Sequence, residues 1–267
     1  FQYFGVSDNV DLSELKWSRG GYDKTALSNV YTGNDLRTLQ ILDSVKKYVT
    51  DINTVAGIGF CVSKAHAEYM ALRFSQYNIP SASLTSDSSD DVRKNVQKQL
   101  VSGEIKFVFT VDLYNEGVDI PEINTILFLR PTESLTVFLQ QLGRGLRLSE
   151  GKDCLTVLDF IGQANKKYNF EQKFAALLAN TNKSVQSEIK NGFISLPKGC
   201  YLQLEKKAKE YVLENIKRAV GNKNAIISRM ATFTEDSGLE LTLANFLEYY
   251  RLDISTIYST KTSFARL

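Results

Sequence analysis

Two rhythms of apolar and polar positions alternate along the first two thirds of the chain. One places apolar residues three or four apart, as on a helix; the other is a short, almost unbroken apolar run of strand length. From Asn34 to Val49, the stretch NDLRTLQILDSVKKYV sets Leu36, Leu39, Leu42, Val45 and Val49 at helical spacing. Residues 54–62, TVAGIGFCV, form an apolar run. Ser63 then stands where a helix cap is needed, and KAHAEYMALRFSQYN puts Ala67, Met70, Ala71 and Phe74 on one face. Asn78, Ile79 and Pro80 end that helix. After the short segment SASLT, the stretch SDSSDDVRKNVQKQLVSG has acids in its first turn and bases later. Its apolar residues are Val92, Val96 and Leu100, and Gly103 is its stop.

Three further strands are expected at 105–111 (IKFVFTV), 124–130 (NTILFLR) and 153–160 (DCLTVLDF). Strands this apolar, alternating with helices, predict a parallel sheet covered by helices on both faces. Ligands of such sheets sit beyond the C-terminal ends of the strands. The turns after Val62, Val111 and Arg130 are therefore the places to search. From about residue 166 the character changes. KKYNFEQKFAALLAN, LQLEKKAKEYVLENIKRAV and LTLANFLEYY read as amphipathic helices, with GFISLPKGC as a turn. The expectation is an α/β lobe over 49–165, preceded by a lead-in segment and helix over 1–48. A mostly helical extension follows over 166–267.

Composition narrows the function classes. The chain has 267 residues, 43% hydrophobic and 23% charged, within the ordinary range for a globular protein. A net charge of +2 gives no general basic field, so a nucleic-acid contact would need a local stripe. Cys61, Cys154 and Cys200 fit no metal spacing and read as reduced, buried thiols in a cytoplasmic protein. No apolar run approaches the roughly 18 residues of a membrane helix, and no metal site is expected. The opening FQYFGVSDNVDL lacks an initiator Met, which fits a fragment or processed product.

The densest chemistry lies in QQLGRGLR, residues 140–147. On a helical wheel over 133–147, Leu135, Phe138, Leu139, Leu142 and Leu146 fall in an arc of about 100°, the expected buried stripe. Gln140, Arg144 and Arg147 fall on the opposite side. Gly143 and Gly145 leave room beside them for a ligand or backbone. A helix launched from a strand would bring this ridge to the ligand edge of the sheet.

These residues resemble the second RecA-like lobe of superfamily 2 DEAD/DEAH-box-like helicases and translocases. Gln140, Gly143, Arg144 and Arg147 match that family's motif VI. DLYNEGVDIP looks like motif V, with Asp112, Gly117, Asp119 and Pro121 at its GxDxP spacing. FCVSKAHA looks like motif IV, and LTSDSSDDVR resembles the threonine-bearing segment after it. The flanks FQYFGVSDNVDLSELKW and GFISLPKGCYLQLE resemble bacterial helicases with a C-terminal domain of unknown function. Glu116 stands where many DEAD-box relatives carry Arg, which favours the DNA-acting branches.

The resemblance implies a RecA-like fold and a set of roles. Arg144 and Arg147 would neutralise charge on the γ-phosphate of ATP, as arginine fingers do. Gln140 would sit near the γ-phosphate or the attacking water. Asp119 would bond the ribose hydroxyls, although a turn before Ile120-Pro121 explains it equally well. Gly117 would let backbone approach the nucleotide. Ser63, Lys64, Thr85, Thr110 and Asp112 would line a track gripping a nucleic-acid backbone, DNA or RNA, with Ser86 next to Thr85, although helix caps and turns account for Ser63 and Ser86 as well. His66, the sole histidine, reads as packing or surface, and Trp17 with Tyr22 as packing that could also stack a base.

No GxxxxGK[ST] loop and no DExH-type acidic pair occurs in the sequence. The expectation is therefore an ATP site shared with the N-terminal lobe of the same protein, which would also hold Mg²⁺. This chain alone would then be inactive. The rival reading is a non-catalytic nucleic-acid-binding or adaptor module that retains the fold. A Rossmann-type enzyme fits poorly, since no glycine fingerprint follows the first strand.

Overall fold

The computed structural model describes the chain apart from residues 19, 112–119, 166, 179–183, 219–222, 251–253, 259–262 and 267. In chain order its strands and helices are β1 (Gln2–Asp11), β2 (Trp17–Ser18), β3 (Gly21–Tyr22), α1 (Lys24–Tyr31), α2 (Asp35–Tyr48), β4 (Gly57–Phe60), α3 (Lys64–Gln76), β5 (Ser81–Leu84) and α4 (Asp90–Ser102). Then come β6 (Phe107–Thr110), β7 (Thr125–Phe128), α5 (Leu135–Gly145), β8 (Thr156–Gln163), α6 (Phe170–Ala175), α7 (Val185–Asn191), β9 (Tyr201–Leu204), α8 (Lys206–Arg218), α9 (Lys223–Ser237), α10 (Leu243–Tyr250) and α11 (Ile254–Tyr258).

Among the described residues seven strands make one sheet, in the order β5-β6-β4-β7-β8-β1-β9. Every pair in it is parallel. The strands alternate between two cores. Ile58, Phe60, Ile126, Phe128 and Val157 pack with α1, α4, α5 and α8, while Leu127, Leu129, Leu158 and Phe160 pack with α2 and α3. This is the RecA-like α/β arrangement, with helices on both faces. Gly57 and Gly59 are required by one close approach: a Cβ there would lie 2.2 Å and 2.4 Å from the rings of Phe107 and Phe109 on β6. A third, small cluster of Ile226, Phe233, Phe246, Tyr250 and Ile257 holds α9, α10 and α11 together.

Besides the short β2, β3 and β5, two strands lie where none was expected. The opening segment becomes β1, and YLQL, expected to begin a helix, becomes β9, so α8 starts only at Lys206. Both carry polar residues whose partners are remote in sequence. Arg37 on α2 donates to Asp8 at 2.8 Å and to the Leu129 carbonyl at 2.8 Å, with its guanidinium 4.0 Å over the Tyr31 ring. Glu205 accepts from the Ser7 N–H at 2.9 Å, the Tyr48 hydroxyl at 2.8 Å and Lys47 at 3.1 Å. Burial alone would raise the Glu205 carboxyl, but those three donors hold it below its ordinary range. Asp159 on β8 accepts from Tyr3 and, at 2.5 Å, from Lys173 on α6.

Helix α2 keeps only part of its expected face: Leu42 and Val45 are buried as the spacing predicts. Arg37, Thr38 and Ile41 are buried, whereas Leu36 is 82% exposed and Leu39 is exposed. By contrast α3 buries Ala67, Met70, Ala71 and Phe74 as its spacing predicts, with Ser63 as its cap. Gly103 ends α4 in the left-handed conformation at φ 77°. No helix among the described residues is long and apolar enough to cross a membrane.

Candidate functional site

The sheet places the predicted residues on two separate surfaces. The first is the C-terminal edge of β5, β6 and β4, three neighbouring parallel strands. Leu84, Thr110 and Phe60 lie side by side in register, so the turns that follow these strands emerge together. Thr85, Thr110, Ser63 and Lys64 therefore converge on one edge although they span 48 positions of sequence. Asp112, expected with them, lies outside the described residues.

Local chemistry at this edge is largely satisfied from within. Ser63 caps α3 by accepting the His66 N–H at 3.2 Å, and its hydroxyl meets that of Ser28 at 2.6 Å. Thr85 is buried, its N–H donating to Ser88 at 3.1 Å and its hydroxyl accepting the Asp87 N–H at 3.3 Å. Thr110 is fully buried, and its carbonyl accepts the Cys61 N–H at 2.7 Å. Lys64 is exposed and pairs with Asp87 at 2.6 Å, which holds that carboxyl below the usual carboxylate range. Both partners are open to solvent, which screens the pair, so an incoming phosphate competes with it readily. His66 is fully buried, with Nδ1 accepting the Val62 N–H at 3.3 Å and the ring stacked on Tyr31. Burial, with Arg37 and Arg130 nearby, pushes its pKa well below the usual value. It is a packed, neutral histidine.

The second surface lies at the opposite edge. Helix α5 begins at its cap Ser134, just beyond the C-terminal end of β7. Its 11 residues then carry the chain back about 16 Å, at 1.5 Å per residue. At its far end, a Cβ on Gly145 would lie 2.5 Å from Leu155 and 2.9 Å from Ile126, residues at the starts of β8 and β7. The arginine ridge is therefore not delivered to the edge where the strands end. It sits beside the edge where they begin.

The wheel is also corrected in detail. The buried face of α5 is Phe138, Gln141, Leu142 and Gly145, while Leu139 and Leu146 are exposed. Gln140 and Arg147 are exposed and Arg144 is half-buried. Of the two glycines expected to leave ligand space, only Gly143 does so, with nothing within 4 Å of a Cβ placed on it. Gly145 instead lets the helix pack tightly on the sheet.

One residue with no sequence signal organises this surface. The Lys152 ammonium donates to the Pro121 carbonyl at 3.0 Å and to the Arg147 carbonyl at 2.9 Å. It thus fastens the end of DLYNEGVDIP to the end of QQLGRGLR. Burial lowers its pKa, with Glu122 acting in the opposite sense. Backbone acceptors have no side-chain signature, so no spacing rule reveals such a bridge. Gly117 and Asp119 lie outside the described residues. Among the described residues no group of three or more His, Cys, Asp or Glu could hold a metal.

Residues 40–149 match the family model of the helicase conserved C-terminal domain. The chain is 29% identical over 164 residues to a Saccharomyces cerevisiae protein named "Putative ATP-dependent helicase IRC3", covering 61% of this chain and 24% of that one. It is 26% identical over 157 residues to a 51.5 kDa protein of a Lactococcus phage, covering 59% and 33%. It is 30% identical over 121 residues to the type I restriction enzyme EcoKI endonuclease subunit of Escherichia coli, covering 40% and 10%. The chain thus spans about a quarter to a third of the first two relatives' length.

Proposed function

We propose that the chain, whose residues 40–149 match the family model of the helicase conserved C-terminal domain, is the second motor lobe of an ATP-dependent DNA helicase or translocase. In this reading Arg147 and Arg144 reach across a cleft to a triphosphate cradled by an N-terminal lobe. Gln140 lies near the γ-phosphate or the attacking water, Asp119 bonds the ribose, and Gly117 and Gly143 admit the nucleotide. Charge that builds on the γ-phosphate oxygens during transfer is offset by the guanidinium groups. Opening and closing of the cleft then shifts the grip along a nucleic-acid strand.

The observation that carries this reading is the Lys152 bridge. It draws Pro121 and the backbone of Arg147 together, beside a ridge on which Gln140 and Arg147 are exposed and Arg144 is half-buried. The last residue of the motif V match is thereby tied to the last residue of the motif VI match, and the sequence holds no phosphate loop of its own. The track residues Ser63, Lys64 and Thr85 grip the backbone at the opposite edge, with Thr110 as a buried support; Asp112 belongs to the same proposed track. A restriction endonuclease subunit among the relatives supports DNA as the polymer. No magnesium ligand is assigned to this lobe.

The test is Arg147→Ala in a protein carrying both lobes, read by DNA-stimulated ATP hydrolysis. Turnover is expected to fall by about 10³ or more, the usual range for an arginine finger. Near-normal hydrolysis defeats the assignment. The chain by itself is expected to show no turnover, and robust hydrolysis by it would refute the shared site.

A further inference from the structure

A cleft of about 640 Å³ opens on the strand-end edge, next to the proposed backbone track. Its walls include Tyr22, Leu27, Val62, Val111, Arg130 and Thr132. One side is the β2–β3 hairpin, which the track residues do not involve. The hairpin is anchored by two outside residues and by a ring contact within it. The Tyr22 N–H donates to Glu133 at 3.3 Å, the Asn165 N–H donates to the Tyr22 hydroxyl at 2.7 Å, and Trp17 packs edge-on against Tyr22 at 4.8 Å.

The chemistry of the walls selects a ligand class. Lys24 and Arg130 face Asp23 and Glu133, so the lining charges cancel and the cleft is not an anion site. The Arg130 guanidinium is already engaged, donating to the Cys61 carbonyl at 3.1 Å. Leu27, Val62, Val111 and Val137 add an apolar surface. Thr132 is only 5% exposed, and its hydroxyl has no hydrogen-bond partner among the described residues. A buried, unpaired hydroxyl costs about 1–3 kcal/mol, a cost that a ligand supplying the missing partner would remove. An uncharged planar heterocycle with hydrogen-bonding edges suits this mixture, and the volume lies within the range of small-ligand sites, about 300–1,000 Å³.

Position supplies the rest. Val62 directly precedes Ser63, and Val111 directly follows Thr110. A strand whose phosphates are held on the track therefore has a nucleotide standing over the cleft. We infer that the cleft takes one unpaired nucleobase of the bound strand, so that the lobe selects single-stranded over duplex nucleic acid. This rests on the proposed backbone grip and adds a base pocket to it. A base still in a duplex cannot enter without being unpaired, which costs a few kcal/mol.

The test uses the 267-residue chain and a short single-stranded DNA oligonucleotide carrying one 2-aminopurine. Its position is moved along the strand, and a matched set carries an abasic site instead. Emission is expected to change at one position only, and an abasic site there is expected to weaken binding about tenfold, the usual worth of one accommodated base. Val137→Trp, which fills the cleft, should weaken the intact strand about tenfold and leave the abasic strand unchanged. Thr132→Val guards against a folding failure of that variant, because removing an unpaired hydroxyl leaves the melting temperature unchanged or higher. Thr132→Val should weaken the intact strand several-fold. If the chain binds the strand but neither the abasic site nor Thr132→Val alters affinity, the base pocket is overturned and the grip stands. If no strand binds even at low salt, the grip itself fails and the pocket with it.

Discussion

The two candidate surfaces differ in what their side chains do for the fold. At the strand-end edge Ser63 caps a helix, Thr85 closes a turn and Thr110 is fully buried, so each polar group also holds local structure. On the α5 ridge Gln140 and Arg147 stand exposed and Arg144 half-exposed, while the same helix buries Phe138 and Leu142. A substitution on the ridge should therefore separate activity from stability, and a substitution at the strand ends should change both. Surfaces that look alike in a motif list are distinguished by that coupling.

The sharpest separation is expected at Arg147. In the two-lobe protein Arg147→Ala should lower turnover about 10³-fold, yet change stability by no more than about 0.5 kcal/mol, as for exposed positions generally. A melting temperature that fell with activity would erase the contrast. Next come the two glycines of α5. Gly145→Ala should cost about 1–3 kcal/mol by overpacking, since its Cβ would meet Leu155 at 2.5 Å. Gly143→Ala should be neutral or stabilising by up to about 1 kcal/mol, because an exposed helix interior disfavours Gly. Urea titration of both variants checks the pair, and equal losses would show that both glycines serve packing.

Beneath the strand ends, His66 should make stability depend on pH. Its folded pKa is depressed below the ordinary 6.5. The folded state therefore stays neutral while the unfolded chain takes up a proton. Stability is full above about pH 6.5 and falls toward pH 5 by up to about 1.4 kcal/mol per pH unit. His66→Gln should flatten that slope in urea titrations; an unchanged slope would place the titrating group elsewhere.

Smaller again is Ser63→Ala, expected to cost about 1 kcal/mol through the lost helix cap and to weaken strand binding as well. Smallest is Lys64→Ala. Stability should change by less than about 0.5 kcal/mol, while the salt dependence of single-strand binding should drop by about 0.7 in log–log slope for one lost phosphate contact. An unaltered slope would remove Lys64 from the track.

Much of the lobe could be read without coordinates. The strands β4, β6, β7 and β8 sit within nearly unbroken apolar runs, and α3 and α4 carry their caps, faces and stops in adjacent residues. The Gln-Arg-Arg ridge also emerges from helical spacing alone. What could not be read is what depends on distant partners. Asp8 is buried only because Arg37 meets it, and Ser7 can sit in β1 because Glu205, 198 positions away, accepts its N–H. Leu139 and Leu146 look like core on a wheel, but nothing packs over that side of α5 among the described residues, and both are exposed.

Sequence by itself determined the alternation of β4, β6, β7 and β8 with helices, the ends of α3 and α4 and the outward-facing cationic ridge, because these depend on neighbours within a few residues. Tertiary structure alone decided three things. It set the ridge at the edge where strands begin, joined Pro121 to Arg147 through Lys152, and added β1 and β9 to the sheet. The physical reason is that a backbone carbonyl or a buried ion pair accepts a partner by distance and direction, and neither is encoded in residue spacing.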